Sequence, residues 1–568
     1  MCEAERTPCT SRATRFLRIN FIRIKFAILV ALLMAASATR AAASTYVVYV
    51  PLDDPAYEEL DTLSGLGFIQ TYLNEIKPIA RVEVARLILE AESQEQSGQA
   101  SAPMAASLIR SLRLEFGEEV RWIEQNSEDN QPATLHPLQR IEGQYLFSSG
   151  VRRSWAGTGS NTINAREATP LLPDSDGVPT APGSNEIVRL SGWGGVGGFL
   201  TVYGEGGMAG PVTRSIPGTN RFRLFGAAAV LSLGNTAVSF GQEELDWGLG
   251  RFGSLSQGNN AQSFPALRVQ NIHPYLMPGF LKYLGQTRHQ IVVGQLDGSR
   301  TFAHPWIAGQ AISFKPFPFF EFGLNHMVML GGKGNNNYSF PGFLGRLTGL
   351  ATGNPKGANT NTRVGAYVKL IVPQLRRTEF YYEILGEDYF QPFGGNTFPL
   401  KTPFKAPSYT FGVYAPQLTS DGLTDAGAEY TLLDARYSTH EDSLYWTFQN
   451  NFMGDALGPA GWHVNAKVGR WIDYQTKISP EIFFERRSLH PFAPAPTLVS
   501  NENGFGAAIN LLHIPFRLQS SADSLGQISA RASVEYVQHV NYSTTNSVRA
   551  LLLLSFGFTP PWPSLKWQ

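Results

Sequence analysis

The chain has 568 residues, of which only 16% are charged and 12% are aromatic, with 56 glycines and a formal net charge of zero. A soluble protein of this size carries more Lys and Glu on its surface, and a balanced charge gives no electrostatic footprint for nucleic acid. Few charges, many aromatics and abundant glycine suit a β-barrel in lipid.

The N-terminus reads as a secretory signal. Arg12, Arg15, Arg18, Arg23 and Lys25 precede an apolar run from Phe26 to Ala38, and Ala41-Ala42-Ala43 precede Ser44. The run is too short to span a bilayer comfortably, so cleavage near Ala43 is expected, with residues 1–43 removed. Both cysteines, Cys2 and Cys9, fall in that segment, which excludes disulfides, thiol catalysis and thiolate metal sites from the mature chain. Removal takes away seven basic and two acidic residues and leaves 39 against 44, a net of about −5.

Residues 44–130 have helical periodicity and form a small N-terminal α-helical head. Asp54-Pro55 starts a helix with Asp as cap, Tyr57, Leu60 and Leu63 share a face, and Gly65 or Gly67 stops it. A second helix runs from Arg81 to Glu92, a Ser/Gln/Gly/Ala linker from Ser93 to Ala102, and a third helix from about Ala105 to Gly117. Three short helices bury a modest core, so the head is expected to lean on the rest of the chain for stability.

From Leu138 to the C-terminus the period becomes two, and residues 138–568 read as a transmembrane antiparallel β-barrel. Val364, Ala366, Val368, Leu370 and Val372 share one face while Arg363, Tyr367 and Lys369 take the other. After a turn at Pro373-Gln374-Leu375, Phe380, Tyr382 and Ile384 alternate with Glu379, Tyr381 and Glu383. Such a hairpin puts its apolar face to lipid and its charged face to a lumen. Ile528–Val537 and Val548–Phe558 repeat the pattern, and the last strand is expected to end at Phe558 with Pro560–Gln568 trailing. At about 23 residues per strand and loop, this length gives roughly 18 strands, with 16 the alternative. A soluble sandwich or propeller also alternates, but its strands are shorter and it needs more surface charge. Long stretches at Asn161–Glu186, Gly331–Asn361 and Gln391–Pro407 read as outward loops.

Several motifs imitate chemistry. Gly192-Trp193-Gly194-Gly195-Val196-Gly197 matches a dinucleotide fingerprint, but Phe199, Thr201 and Tyr203 continue a strand and no helix follows. Gly331-Gly332-Lys333-Gly334 lacks the spacing of a phosphate loop, and Gly253-Ser254-Leu255-Ser256 is no nucleophile elbow. His440-Glu441-Asp442 has no second histidine at helical spacing and reads as a turn. Glu243, Glu244 and Asp246 are read as lumen charges rather than a glycosidase pair. No catalytic residue, metal site or cofactor is expected.

The segment Gly241–Leu267 is the most informative. Trp247-Gly248-Leu249-Gly250, Gly253-Ser254-Leu255, Asn259-Asn260-Ala261 and Phe264-Pro265 follow one another in an order and spacing that resemble the signature of the Wzi-type capsule-assembly family. Val50-Pro51-Leu52-Asp53 with Tyr57, Leu60, Arg81 and Glu83 resembles that family's N-terminal helices. Tyr430, His440, Tyr445 and Gly454-Asp455-Ala456-Leu457-Gly458-Pro459 resemble a late barrel stretch. Two positions depart from it: Leu249 stands where the family has Pro, and Gln262-Ser263 where it has Arg-Pro.

The resemblance implies a non-enzymatic outer-membrane barrel that binds or anchors exported, capsular or related polysaccharide, with its head in the periplasm. Outer-membrane lipid is then a second partner and the capsule export machinery a further candidate; a porin or substrate channel is the alternative. Aromatic faces stack on sugar rings and amides, cations and carboxylates bond hydroxyls, with avidity along a polymer. On that footing Glu244, Trp247, Arg251, Asn259, Asn260 and Phe264 are the candidate sugar-binding residues. The other reading of the segment is architectural: a folding device that touches no sugar.

Overall fold

The computed structural model describes residues 44–98, 103–153, 176–178, 180–211, 221–336, 338–347, 359–387, 407–438, 444–449, 451–488, 500–517, 525–560 and 564–567. Among these, eighteen antiparallel strands close into a barrel, from Ala133–Ser149 to Ser547–Thr559. Neighbours in sequence are neighbours in the sheet, and the last strand pairs with the first, Gln144 lying opposite Ser555. The signal-like segment lies outside the described residues, as does His440-Glu441-Asp442.

The two-residue period sets the wall. In the strand Thr360–Val372, Arg363, Tyr367 and Lys369 are buried in the lumen while Leu370 is exposed outside. Across the barrel Phe505, Ile509, Leu554 and Phe556 also face outward, exposed. A wall of this chemistry is suited to lipid. The inward charges are paired: Lys315 and Lys369 reach Glu321 at 2.5 and 2.7 Å, and Arg531 reaches Glu481 at 2.8 Å. Arg153 is enclosed by Glu485, Glu502 and Glu535. Removing one partner from such a buried set leaves an uncompensated charge, at a cost of about 3–5 kcal/mol.

One end of the barrel has short turns, such as residues 234–235 and 318–319, and carries both ends of the sheet. The other end has the long connections, among them residues 243–264, 296–305 and 434–460. The tail does not trail after Phe558: Leu565–Trp567 adds a short strand against Ala133–Leu135. The stretch 331–361 is not all loop either, since Phe340–Leu347 is a helix.

The head sits on the short-turn end. Its helices are α1 (Ala56–Leu66), α2 (Arg81–Ser97), α3 (Pro103–Glu115) and α4 (Gly117–Glu124). Pro55 precedes α1 rather than opening it, the Asp54 carboxylate accepts the Ala56 N–H at 2.9 Å, and Gly67 stops the helix at φ 94°. Helix α2 runs five residues past the expected Glu92, consuming half of the expected linker, because nothing in Ser93–Ser97 breaks a helix before Gly98. Helix α4 escapes a reading by apolar spacing because it is eight residues long with mixed charge. The core gathers Leu60, Leu63, Leu87, Ile88, Leu112 and Phe116, completed by Trp471 and Ile514 from the barrel. Ion pairs bind the seam: Arg140 of the wall meets Asp54 at 2.9 Å, and Lys477, held on the wall by Asp425 at 2.5 Å, also reaches Glu58 of α1. No described helix is long and apolar enough to cross a membrane.

Candidate functional site

Two stretches enter the lumen from opposite ends and meet. From the head, the strand-like residues Ile76–Lys77 between α1 and α2 pair antiparallel with Asp246–Trp247. Wall side chains hold this inserted stretch: Lys315 donates to the Tyr72 carbonyl at 3.0 Å, Lys369 to Asn74 at 3.0 Å and Arg288 to the Pro78 carbonyl at 3.1 Å. From the long-loop end, the chain leaves the strand Thr236–Gln242, folds into the barrel, and returns to the wall at Pro265.

Trp247 is the centre of this plug, with 1% of its surface exposed. Its indole N–H donates to Gln290 Oε1 on the wall at 2.6 Å. Its ring lies over Gly309, where an added Cβ would stand 2.9 Å from a ring carbon. Gly250 is equally constrained, since a Cβ there would meet the Gly253 carbonyl at 2.0 Å. Leu245, Ala261, Phe264, Met327 and Met329 complete an apolar cluster with Leu444, Trp446, Phe448 and Met453 from the 434–460 connection. Phe264 meets Phe448 edge-on at 6.1 Å.

The polar residues of the plug bond inward. Glu244 accepts the Leu52 N–H at 2.8 Å and the Asn259 side-chain amide at 3.2 Å. The Asn259 and Asn260 carbonyls accept the Asp176 and Gly177 N–H groups at 2.9 and 3.1 Å, and the Asn260 side chain donates to the Gly454 carbonyl. Arg251 pairs with Asp61 of α1 at 3.0 Å and with Glu379 of the wall at 3.3 Å. Its guanidinium lies 3.7 Å from the Tyr414 ring centroid, and the Arg251 backbone N–H donates to Glu429 at 2.8 Å. All six candidate residues therefore come together as one interlocked body bonded to the protein itself, with Arg251 and Asn259 also bordering a cavity of the lumen.

Sequence spacing did not find the residues that grip this body from the wall and the late connection. Arg363 donates to the Ser256 carbonyl at 3.1 Å, to Ser438 Oγ at 2.7 Å and to Glu387 at 2.9 Å, beneath Tyr437 and Trp446. Tyr437 donates to the Leu255 carbonyl at 2.9 Å and accepts the Asp455 N–H at 2.6 Å. Asp455 in turn holds His463 at 2.8 Å, which gives the Gly454–Pro459 stretch its place. Only the alternation that turned Arg363 inward could have pointed to it.

Asp53 borders two cavities in the lumen, of about 270 and 240 Å³. The first is lined by Arg140, Glu142, Gln144, Asp176 and Arg189, the second by Glu58, Asp61, Asn74, Lys77, Arg251 and Lys467. Among the described residues no group of three His, Cys, Asp or Glu side chains is arranged to hold a metal ion.

The family model for capsule assembly protein Wzi matches residues 152–546. Among solved structures, Wzi of Escherichia coli, described as an outer-membrane, carbohydrate-binding β-barrel involved in group 1 capsule assembly, aligns with a TM-score of 0.60 at 17% identity, covering 91% of this chain and 99% of that one. OpdQ and OprD of Pseudomonas aeruginosa align at 0.41 and 8% identity, covering 75% and 76% of this chain and 97% and 96% of theirs. Comparison with curated proteins gave no match.

Proposed function

The chain belongs to the capsule-assembly family of Wzi, and on that footing we propose that it is a non-enzymatic outer-membrane barrel that anchors exported polysaccharide at the cell surface. The observation that carries this reading is the doubly filled lumen. The head closes the short-turn end and the Trp247 body, gripped by the 434–460 connection, fills the other. A barrel packed in this way serves as a platform rather than a conduit, which argues against the porin alternative.

Glu244, Trp247, Arg251, Asn259, Asn260 and Phe264 support the binding face from beneath by holding the late connection in one arrangement. Direct sugar contact then falls to the long connections above them, where repeated weak contacts along a polymer gain avidity. Both ends of the sheet lie at the short-turn end, which supports a periplasmic head with the long connections outside.

The test pairs two measurements on the purified protein: binding of polysaccharide isolated from the same cells, and conductance in planar bilayers. Polysaccharide binding without stable channels is expected. Stable ohmic channels without binding would make it a porin, and turnover of the polysaccharide would make it an enzyme.

A further inference from the structure

The connection between the strands Pro265–Asn271 and Gln286–Gln295, residues 272–285, is far longer than the neighbouring short-end turns at residues 234–235 and 318–319. It begins inside the barrel and ends outside it. Ile272 packs in the lumen with Val47, Val230 and Ala237, and His273 Nδ1 lies 2.7 Å from the Glu83 carboxylate of α2. The chain then crosses the rim. Tyr275 and Leu276 pair with Thr287 and Gln286, and the Tyr275 hydroxyl meets His289 at 3.2 Å.

Beyond that point Met277, Leu281 and Leu284 pack against Ile312, Phe314 and Phe322. Those residues face outward, because Ser313 and Lys315 between them are buried in the lumen. The 3₁₀ turn Gly279–Leu284 therefore lies on the outer wall of the barrel. Its own apolar groups are divided: Met277, Leu281 and Leu284 cover the wall, while Phe280 and Tyr283 point away from it, 79% and 76% exposed. Lys282 lies beside them, its ammonium 5.4 Å from the Tyr283 ring centroid. Along the same rim Phe317 and Phe319 stack at 5.3 Å, and both are exposed.

We propose that the Gly279–Leu284 turn is a membrane-interface anchor, with Phe280 and Tyr283 seated in the phospholipid headgroup layer of the short-turn leaflet and Lys282 at the phosphates. Two aromatic side chains this exposed on a convex turn offer no groove for a protein partner, but they continue the apolar outer wall toward its rim. An apolar body with a polar or cationic tip is the chemistry favoured where hydrocarbon meets water. Since the same connection holds Glu83 through His273, the anchor also ties the head to the plane of the membrane.

The proposal rests on the reading of the barrel as membrane-inserted, so its test carries a separate control for that reading. Cysteine occurs in this chain only at positions 2 and 9, outside the described residues. Single variants Phe280→Cys and Tyr283→Cys, each carrying a nitroxide, are reconstituted in phosphatidylethanolamine–phosphatidylglycerol vesicles. Phe505→Cys on the outer wall and Arg110→Cys, at an exposed position of α3, serve as references for hydrocarbon and water. Collision with oxygen and with a water-soluble nickel chelate reports depth. Positions 280 and 283 should fall between the references, with chelate collision severalfold below position 110 and severalfold above position 505. Water-like collision at 280 and 283 would overturn the proposal, as would hydrocarbon-like depth or shielding from both quenchers. Water-like collision at position 505 would instead remove the membrane reading itself.

Discussion

Arg251, in the body that fills the lumen from the long-loop end, and Asp61, on α1 of the head at the other end, meet at 3.0 Å. This ion pair joins the two closures of the barrel beside the pairing of Ile76–Lys77 with Asp246–Trp247, and it is backed by Glu379 and by the face of Tyr414.

If that pair couples head and plug, Arg251→Ala and Asp61→Ala share part of their cost. Both side chains are partly exposed to the cavity, so each substitution should cost about 1–2 kcal/mol, below the figure for a fully buried pair. The double variant should cost less than the sum, with a coupling of about 0.5–1 kcal/mol in unfolding measurements. Strict additivity would mean that this ion pair does not couple the two closures.

Trp247→Ala should leave a cavity at the meeting point of wall, plug and late connection. A large-to-small change of this kind costs about 3–5 kcal/mol, and it also leaves Gln290 without its donor. The variant barrel should still insert, unfold at lower denaturant, and bind polysaccharide less well because the 434–460 connection loses its support. Trp247→Phe should retain most of the packing and lose the hydrogen bond alone. Unchanged stability in the Ala variant would show that the plug is not held by this ring.

The head carries a pH dependence of its own. Burial, with the Asp54 carboxylate nearby, pushes the Glu115 carboxyl up to about 8 against an unfolded value of 4.5, despite Arg81 close by. The docked head then binds more protons than the released one between these values. Its stability is greatest below pH 4.5 from this group and falls as pH rises toward 8. Glu115→Gln should flatten that slope. The check is protease release of the head at pH 5 and pH 8 in both proteins; equal slopes would clear Glu115 of the effect.

Leu554 and Ser555 are adjacent, one on the outer wall and one lining the 270 Å³ lumen cavity. Arginine at the former should cost about 2–4 kcal/mol if it lies near the bilayer midplane. The same residue at the latter faces a cavity that Glu142 also lines and should cost less. Folding into lipid vesicles under a urea series separates the two; an equal cost would contradict the assignment of faces.

The proposed orientation predicts accessibility in whole cells. A tag inserted at residues 98–102, after α2, should be hidden from antibody, and one at Asn335–Asn336 should be reached. Reversed labelling would place the head outside.

The wall was legible in the sequence because a strand in a barrel has one face to lipid and one to the lumen, and that alternation is local. Arg363–Val372 and its partner could be assigned residue by residue, and length gave about 18 strands with 16 left open, of which the closed barrel has eighteen. The helices of the head were legible from apolar spacing, except α4, which is too short to show a period. The signature itself was legible as an ordered string, Trp247 to Pro265, and with it the family.

What only the tertiary structure decided is which way that string points. Nothing local distinguishes a Trp that meets solvent or sugar from one that meets Gly309 and Gln290 across the lumen, because those partners lie some forty to sixty residues away in sequence. The inward fold of residues 243–264, the insertion of Ile76–Lys77 to meet it, and the passage of residues 272–285 over the rim all depend on contacts between distant segments. Alternation fixes the face of each strand residue, whereas the course of a connection is set by whatever the closed barrel leaves for it to pack against.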